Sequence, residues 1–188
     1  MKKIGITGSL SSGKTTASKI LSSKKGPLFS ADQIVKKLYK KEKFTNLLVK
    51  VFKINKDLNL KDALKKKILK KKSNLKKLEK IIHPLVRLEM KKFLQKHSKK
   101  RFIFCEIPLL IESKLMKNFD VIFFIKAKKS IRLKRFESKG GNKIFFNFLN
   151  KHQLKDIKKT KYCDHVIVNE SNLSIFKKKL LDILKFYE

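Results

Sequence analysis

Residues Gly8-Ser9-Leu10-Ser11-Ser12-Gly13-Lys14-Thr15 fit the pattern G-x-x-x-x-G-K-[ST], a loop built to hold phosphate groups. No other feature narrows the possible folds of this chain as far. Lys3-Ile4-Gly5-Ile6-Thr7 reads as a short apolar strand leading into the loop, and the residues from Thr15 to Leu21 read as a helix leading out. The phosphate-binding mechanism needs that order of strand, loop and helix. Backbone N–H groups wrap the β-phosphate, and the helix N-terminus adds the positive end of its dipole. The contact set is Ser9, Leu10, Ser11, Ser12, Gly13, Lys14, Thr15 and Thr16. Lys14 would reach the β- and γ-phosphate oxygens of ATP, and the Thr15 hydroxyl would ligate Mg²⁺.

Strand and helix signals alternate along the rest of the chain, which argues for an α/β fold with a parallel sheet. Candidate strands are Lys2–Thr7, Pro27–Ser30, Arg101–Ile107, Phe119–Ile125 and His165–Val168. Several are unbroken apolar runs, as expected of strands covered on both faces. Together they predict the three-layer fold of P-loop nucleotide-binding proteins, with a five-stranded parallel sheet. The stretch from Gln33 to Lys100 carries apolar residues at helical spacing and reads as an inserted helical lobe. Asn142 to Lys161 reads as a further helical segment after a Gly140-Gly141 hinge, and Leu173 to Tyr187 as a closing amphipathic helix. The chain of 188 residues therefore divides as a core of about 1–32 and 100–188, a lobe of about 33–99 and a helical lid of about 132–160.

A hydrophobic content of 41% suffices for a packed core. No apolar run approaches the roughly 18 residues of a membrane span. The N-terminus does not read as a signal peptide. A cytoplasmic enzyme is the expectation, with no membrane partner. Cys105 and Cys163 lack metal-ligand spacing and read as buried or half-buried thiols.

The formal net charge is +35. A nucleic-acid or acidic-membrane partner is one reading of it. However, only Arg87, Arg101, Arg132 and Arg135 among the 50 basic residues are arginine, and the lysines are spread from end to end. A nucleic-acid site clusters its charge and uses arginine for bidentate contacts. Diffuse lysine argues against nucleic acid and for a compositional habit that still draws in polyanionic substrates.

Several residues outside the loop could carry chemistry. Asp32 follows the second strand, where an acid facing a phosphate loop can orient or deprotonate an acceptor hydroxyl; it could equally cap a helix starting at Gln33. Glu106 and Glu112 flank Ile107-Pro108-Leu109-Leu110-Ile111 at the end of the third strand, and Glu106 could contact Mg²⁺. His83-Pro84 suits a helix start, with His83 either a substrate contact or a cap. Arg132, Arg135 and Lys139 read as one helix, with Arg135 and Lys139 on one face, placed to close cations over ATP phosphates.

These residues together resemble the dephospho-coenzyme A kinase family, nearly end to end. That family opens with a strand and Thr-Gly-Gly-x-x-Ser-Gly-Lys-Ser, where this chain has Thr7-Gly8-Ser9-Leu10-Ser11-Ser12-Gly13-Lys14-Thr15. Its Asp-Ala-Asp stands here as Ser30-Ala31-Asp32, its His-Pro as His83-Pro84, and its Asp-x-Pro-Leu-Leu-x-Glu as Glu106-Ile107-Pro108-Leu109-Leu110-Ile111-Glu112. Its lid pattern Arg-x-x-x-Arg is matched by Arg135 and Lys139. Its Ala-Asp-x-Val-Ile-x-Asn appears as Cys163-Asp164-His165-Val166-Ile167-Val168-Asn169, with Gln153 upstream in register.

The resemblance implies ATP-dependent phosphorylation of the ribose 3′-hydroxyl of dephospho-CoA. It implies Lys14, Asp32 and Arg135 as catalytic, Lys139 on ATP, and Asp32, His83, Pro108, Leu109 and Glu112 on the acceptor. The metal would fall to Thr15 and Glu106. Ser30, Glu106 and Lys139 depart from the family's residues, and lysine lacks the bidentate fork that arginine offers a phosphate. From the residues alone, a kinase acting on another small molecule or nucleotide stays open, as does a basic nucleic-acid-binding ATPase. The oligomeric state is not written in the sequence.

Overall fold

The computed structural model describes residues 1–55 and 58–188. Among them, five strands make one parallel sheet in the order β2-β3-β1-β4-β5. These are β1 (Lys2–Gly8), β2 (Leu28–Ser30), β3 (Phe102–Glu106), β4 (Val121–Lys126) and β5 (His165–Val168). The α/β fold and the parallel sheet read from the sequence are what the chain forms. The strands match the apolar runs to within a residue or two, β5 at both ends.

The central position of β1 explains the composition of the sheet. Every residue of β3 and five of the six in β4 are buried, so helices must cover both faces. On one face Ile4, Ile6, Phe102, Phe104, Phe123, Ile125 and Ile167 meet α1 (Lys14–Ser22) and α9 (Leu173–Lys185) through Ala17, Leu21, Phe176, Leu180 and Leu184. On the other, the bare backbone of Gly5 leaves room for Leu110, whose Cδ1 would lie 2.8 Å from a Cβ placed there. The packing anchors β1 and α1, and the loop between them inherits that rigidity.

The chain divides into two compact units, residues 1–30 with 94–188, and residues 31–93. The first holds the sheet, α1, α9, and the helices α6 (Lys129–Glu137), α7 (Lys143–His152) and α8 (Asp156–Thr160). The second holds α2 (Ala31–Leu38), α3 (Glu42–Phe52), α4 (Leu60–Lys70) and most of α5 (Ser73–Lys96). Its own core is Leu38, Phe44, Leu48, Phe52, Ala63 and Leu64, with Leu78, Ile81, Ile82 and Leu85 of α5 against them. Asn59 starts α4 by accepting the N–H groups of Lys61 and Asp62.

The helical stretch Gln33–Lys100 is, among the described residues, four helices that begin at Ala31 and end at Lys96. The helical segment Asn142–Lys161 is two helices, α7 stopping at His152 and α8 starting at Asp156. Two sequence readings need correction. His83-Pro84 lies in the middle of α5 and does not start it; proline costs a helix one N–H, but the flanking apolar rows keep both halves packed. Lys139 lies two residues past the end of α6 and so does not share a helical face with Arg135. The two cysteines are unpaired, and burial pushes both thiols up to about 12, which makes them inert rather than reactive.

Candidate active site: the phosphate loop and its surroundings

β1 ends at Gly8, and the chain turns through residues 9–13 before α1 begins at Lys14. The turn depends on positive φ at Gly8 (152°), Ser11 (57°) and Gly13 (100°). The Lys14 ammonium is folded back over the loop, donating to the Ser9 carbonyl at 2.7 Å and the Gly8 carbonyl at 3.3 Å. A ligand phosphate would compete for those donors. The hydroxyl of Ser12 is buried and, among the described residues, has no hydrogen-bond partner. An orphaned donor inside such a loop fits an anionic guest that completes it.

Glu106, at the end of β3, faces the start of α1. Its Oε1 accepts the Thr15 hydroxyl at 2.6 Å, and its Oε2 accepts the hydroxyls of Ser30 at 3.2 Å and Ser18 at 3.3 Å. The carboxylate is only 1% exposed, yet three O–H donors satisfy it. One hydroxyl and one carboxylate are hard oxygen donors, the kind Mg²⁺ takes when most of its shell comes from phosphates and water. Among the described residues no group of three or more His, Cys, Asp or Glu could form a protein-only metal cage. The donor set therefore fits a phosphate-escorted Mg²⁺.

Helix α6 supplies the arginines. Arg135 donates to the Ser12 carbonyl at 3.3 Å and the Asn169 carbonyl at 3.2 Å, while the Asn169 amide also donates to the Ser12 carbonyl at 2.8 Å. Arg132 is buried; it donates to the carbonyls of Ala127 at 3.0 Å and Leu10 at 3.3 Å and to Asn150 Oδ1 at 2.8 Å. Burial pulls its pKa down, and the nearby Asp156 carboxylate opposes that. Lys139 is exposed.

Of the predicted site residues, the structure gathers Ser9, Leu10, Ser11, Ser12, Gly13, Lys14, Thr15, Thr16, Glu106 and Arg135 around one loop. Pro108 and Leu109 follow Glu106 half-buried, and the Pro108 carbonyl accepts the Thr7 hydroxyl at 3.1 Å. Asp32 and His83 belong to the second unit. Asp32 sits in the first turn of α2, which begins one residue earlier at Ala31, so it does not cap a helix starting at Gln33. His83 has its pKa lowered by burial and then by the Arg87 charge, so its neutral form is favoured.

Gln153 was placed by the family pattern without a role, and sequence reasoning missed the other polar side chains of residues 150–159. Gln153 Oε1 accepts the Leu10 N–H at 3.1 Å, and Asp156 accepts the Ser9 hydroxyl at 2.6 and 2.7 Å. Lys159, wholly buried, pairs with Glu112 at 2.7 Å. The one available signal was scarcity: with only 15 acids among 188 residues, an acid in a lysine-rich segment calls for a partner.

A dephospho-CoA kinase family profile matches residues 2–174. A dephospho-CoA kinase of Bartonella quintana (strain Toulouse) is 32% identical over 195 residues, covering 98% of this chain and 97% of the relative. One from Fusobacterium nucleatum subsp. nucleatum is 34% identical over 181 residues, covering 93% of each. Among solved structures, protein TT1252 from Thermus thermophilus superposes with a TM-score of 0.78 at 24% identity, over 98% of this chain and 97% of that one.

Proposed function

Because the chain belongs to the dephospho-CoA kinase family, we propose that it moves the γ-phosphoryl group of ATP to the ribose 3′-hydroxyl of dephospho-CoA, giving coenzyme A and ADP, the last step of coenzyme A synthesis. The observation that supports this most directly is the Thr15–Glu106 contact at 2.6 Å beside the folded-back Lys14, a phosphate grip and a hard-oxygen pair on adjoining elements.

The roles follow from the chemistry of phosphoryl transfer, in which positioning and charge stabilisation do most of the work. Lys14 exchanges its carbonyl partners for the β- and γ-phosphate oxygens, and the loop N–H groups hold the β-phosphate. Thr15 and Glu106 would hold Mg²⁺, which when bound neutralises charge on the phosphates. Asp32 orients or deprotonates the acceptor hydroxyl. Arg135 and Lys139 bring positive charge to the ATP phosphates and help exclude water, which would otherwise hydrolyse ATP. His83 is assigned to the acceptor, and so, by the family pattern, are Pro108, Leu109 and Glu112. The reaction takes place in the cytoplasm.

The test is a coupled assay of purified protein with Mg²⁺-ATP, with and without dephospho-CoA, and mass spectrometry of the product. ADP release that depends on the acceptor, with a product heavier by one phosphate, is the expected result. ATP consumption without that product would assign another acceptor, and hydrolysis stimulated by RNA or DNA would replace the kinase reading.

A further inference from the structure

The outer side of the phosphate loop is held by residues outside the nucleotide-binding motif. Asp156, at the start of α8, receives the Ser9 hydroxyl between both carboxylate oxygens, at 2.6 and 2.7 Å. Gln153, between α7 and α8, takes the Leu10 N–H at 3.1 Å. Arg132 donates to the Leu10 carbonyl at 3.3 Å and to Asn150 Oδ1 of α7 at 2.8 Å. Behind them the buried Lys159 reaches Gln153 Oε1 at 3.5 Å and Glu112 Oε1 at 2.7 Å, and that same Glu112 oxygen accepts the Leu154 N–H at 3.2 Å. The Ser9 hydroxyl and the Leu10 N–H and carbonyl are therefore engaged from outside the loop.

Ser9 is bonded from both sides in this arrangement. Its carbonyl accepts from the Ser12 N–H at 3.2 Å and from Lys14 at 2.7 Å, and Lys14 gives up its bond when it turns to a phosphate. The residue is 1% exposed, and its hydroxyl is bound to a carboxylate. A hydrogen bond to an ionised carboxylate is about twice as strong as a neutral one. We propose that Asp156 is a positioning residue for ATP: through Ser9 it keeps the phosphate loop in its binding shape after Lys14 has left the Ser9 carbonyl. The side chain that makes this possible is absent from the pattern Thr-Gly-Gly-x-x-Ser-Gly-Lys-Ser, whose second glycine stands where this chain has Ser9. The proposal rests on the reading of residues 8–15 as the ATP site.

The experiment is a double-mutant cycle on Asp156→Ala and Ser9→Gly. It is read by calorimetric titration with Mg²⁺-ATP alone, and by KM and kcat for each substrate. Asp156→Ala is expected to weaken ATP binding about tenfold, the loss of one charge-assisted hydrogen bond. The KM for dephospho-CoA and kcat should both stay within about twofold. Ser9→Gly is expected to weaken ATP binding to the same extent, and the double variant to be no worse than either single one. Asp156→Asn, which keeps an acceptor oxygen, should recover most of the affinity. Additive losses, unchanged ATP affinity in Asp156→Ala, or a matching rise in the KM for dephospho-CoA would each overturn the proposal. A thermal melt of each variant separates loss of binding from loss of folding. Because ATP titration needs no acceptor, it decides the role of Asp156 even if transfer to dephospho-CoA is absent.

Discussion

Glu106 shows how one site can be rebuilt by paired changes. Where the resembling family has aspartate at both positions, this chain has Ser30 and the longer Glu106, and the two touch at 3.2 Å. The extra methylene carries the carboxylate far enough to collect three hydroxyls, and the serine turns what would be a repulsion into a hydrogen bond. Restoring the acid by Ser30→Asp would set two carboxylates against each other in a dry place. One proton would then stay on the pair to higher pH in the folded state than in the unfolded one. The sign follows: the variant's stability falls as pH rises, because the folded pair resists losing that proton. At pH 8 in EDTA a loss of about 1–3 kcal/mol is expected, shrinking toward pH 5. Millimolar Mg²⁺ should restore it, since a second carboxylate improves the metal site. Thermal melts across pH, with and without Mg²⁺, check this; a melting temperature indifferent to Mg²⁺ would remove Glu106 from the metal site.

The phosphate loop as an element explains which glycines the fold needs and which the function needs. A Cβ at Gly8 would lie 2.3 Å from the Ile125 carbonyl oxygen, part of the β4 backbone paired with it. A Cβ at Gly13 would lie 2.1 Å from the Asn169 side-chain amide, the end of a side chain rather than strand backbone, which would have to give up its bond to the Ser12 carbonyl. Gly8→Ala should therefore lower stability by roughly 2 kcal/mol or more, because a central strand must shift. Gly13→Ala should melt closer to the parent yet lose Mg²⁺-ATP binding, because the positive φ it strains belongs to the loop. Melting temperatures beside calorimetric titration compare the two. The loop and its flanks were legible because their signals are local: two glycines, a lysine, an apolar strand before and a helix after. β3 and β4 were legible because strands buried on both faces need unbroken apolar runs. The break between α7 and α8 was not, since Gln153-Leu154-Lys155 contains neither glycine nor proline. Pro84 misled in the opposite direction, because helix packing in the second unit outweighs its local preference. The Ser9–Asp156 and Leu10–Gln153 bonds join residues 147 and 143 positions apart, and no local pattern encodes such a pairing.

At the scale of the molecule, charge sets two opposing responses to salt. With 50 basic and 15 acidic side chains, even complete one-to-one pairing leaves 35 cations without an acid. The ion pairs that form are mostly exposed, such as Lys128–Glu170 at 3.4 Å and Lys185–Asp182 at 3.5 Å, and such pairs add little. Unneutralised lysines repel one another, so the folded chain is under electrostatic strain that screening relieves. The same field draws in ATP and dephospho-CoA, both polyanions, and screening weakens that attraction. Raising NaCl from about 50 mM to about 500 mM should therefore raise the melting temperature while lowering kcat/KM about tenfold, chiefly through KM, because the Debye length shrinks from over 10 Å to under 5 Å. Sucrose at matched osmolality should leave kcat/KM nearly unchanged, because it does not screen charge. If kcat/KM held constant with salt, the surplus charge would have no part in substrate capture. If the melting temperature fell instead, the specific exposed ion pairs, and not the net repulsion, would dominate the electrostatics of the fold.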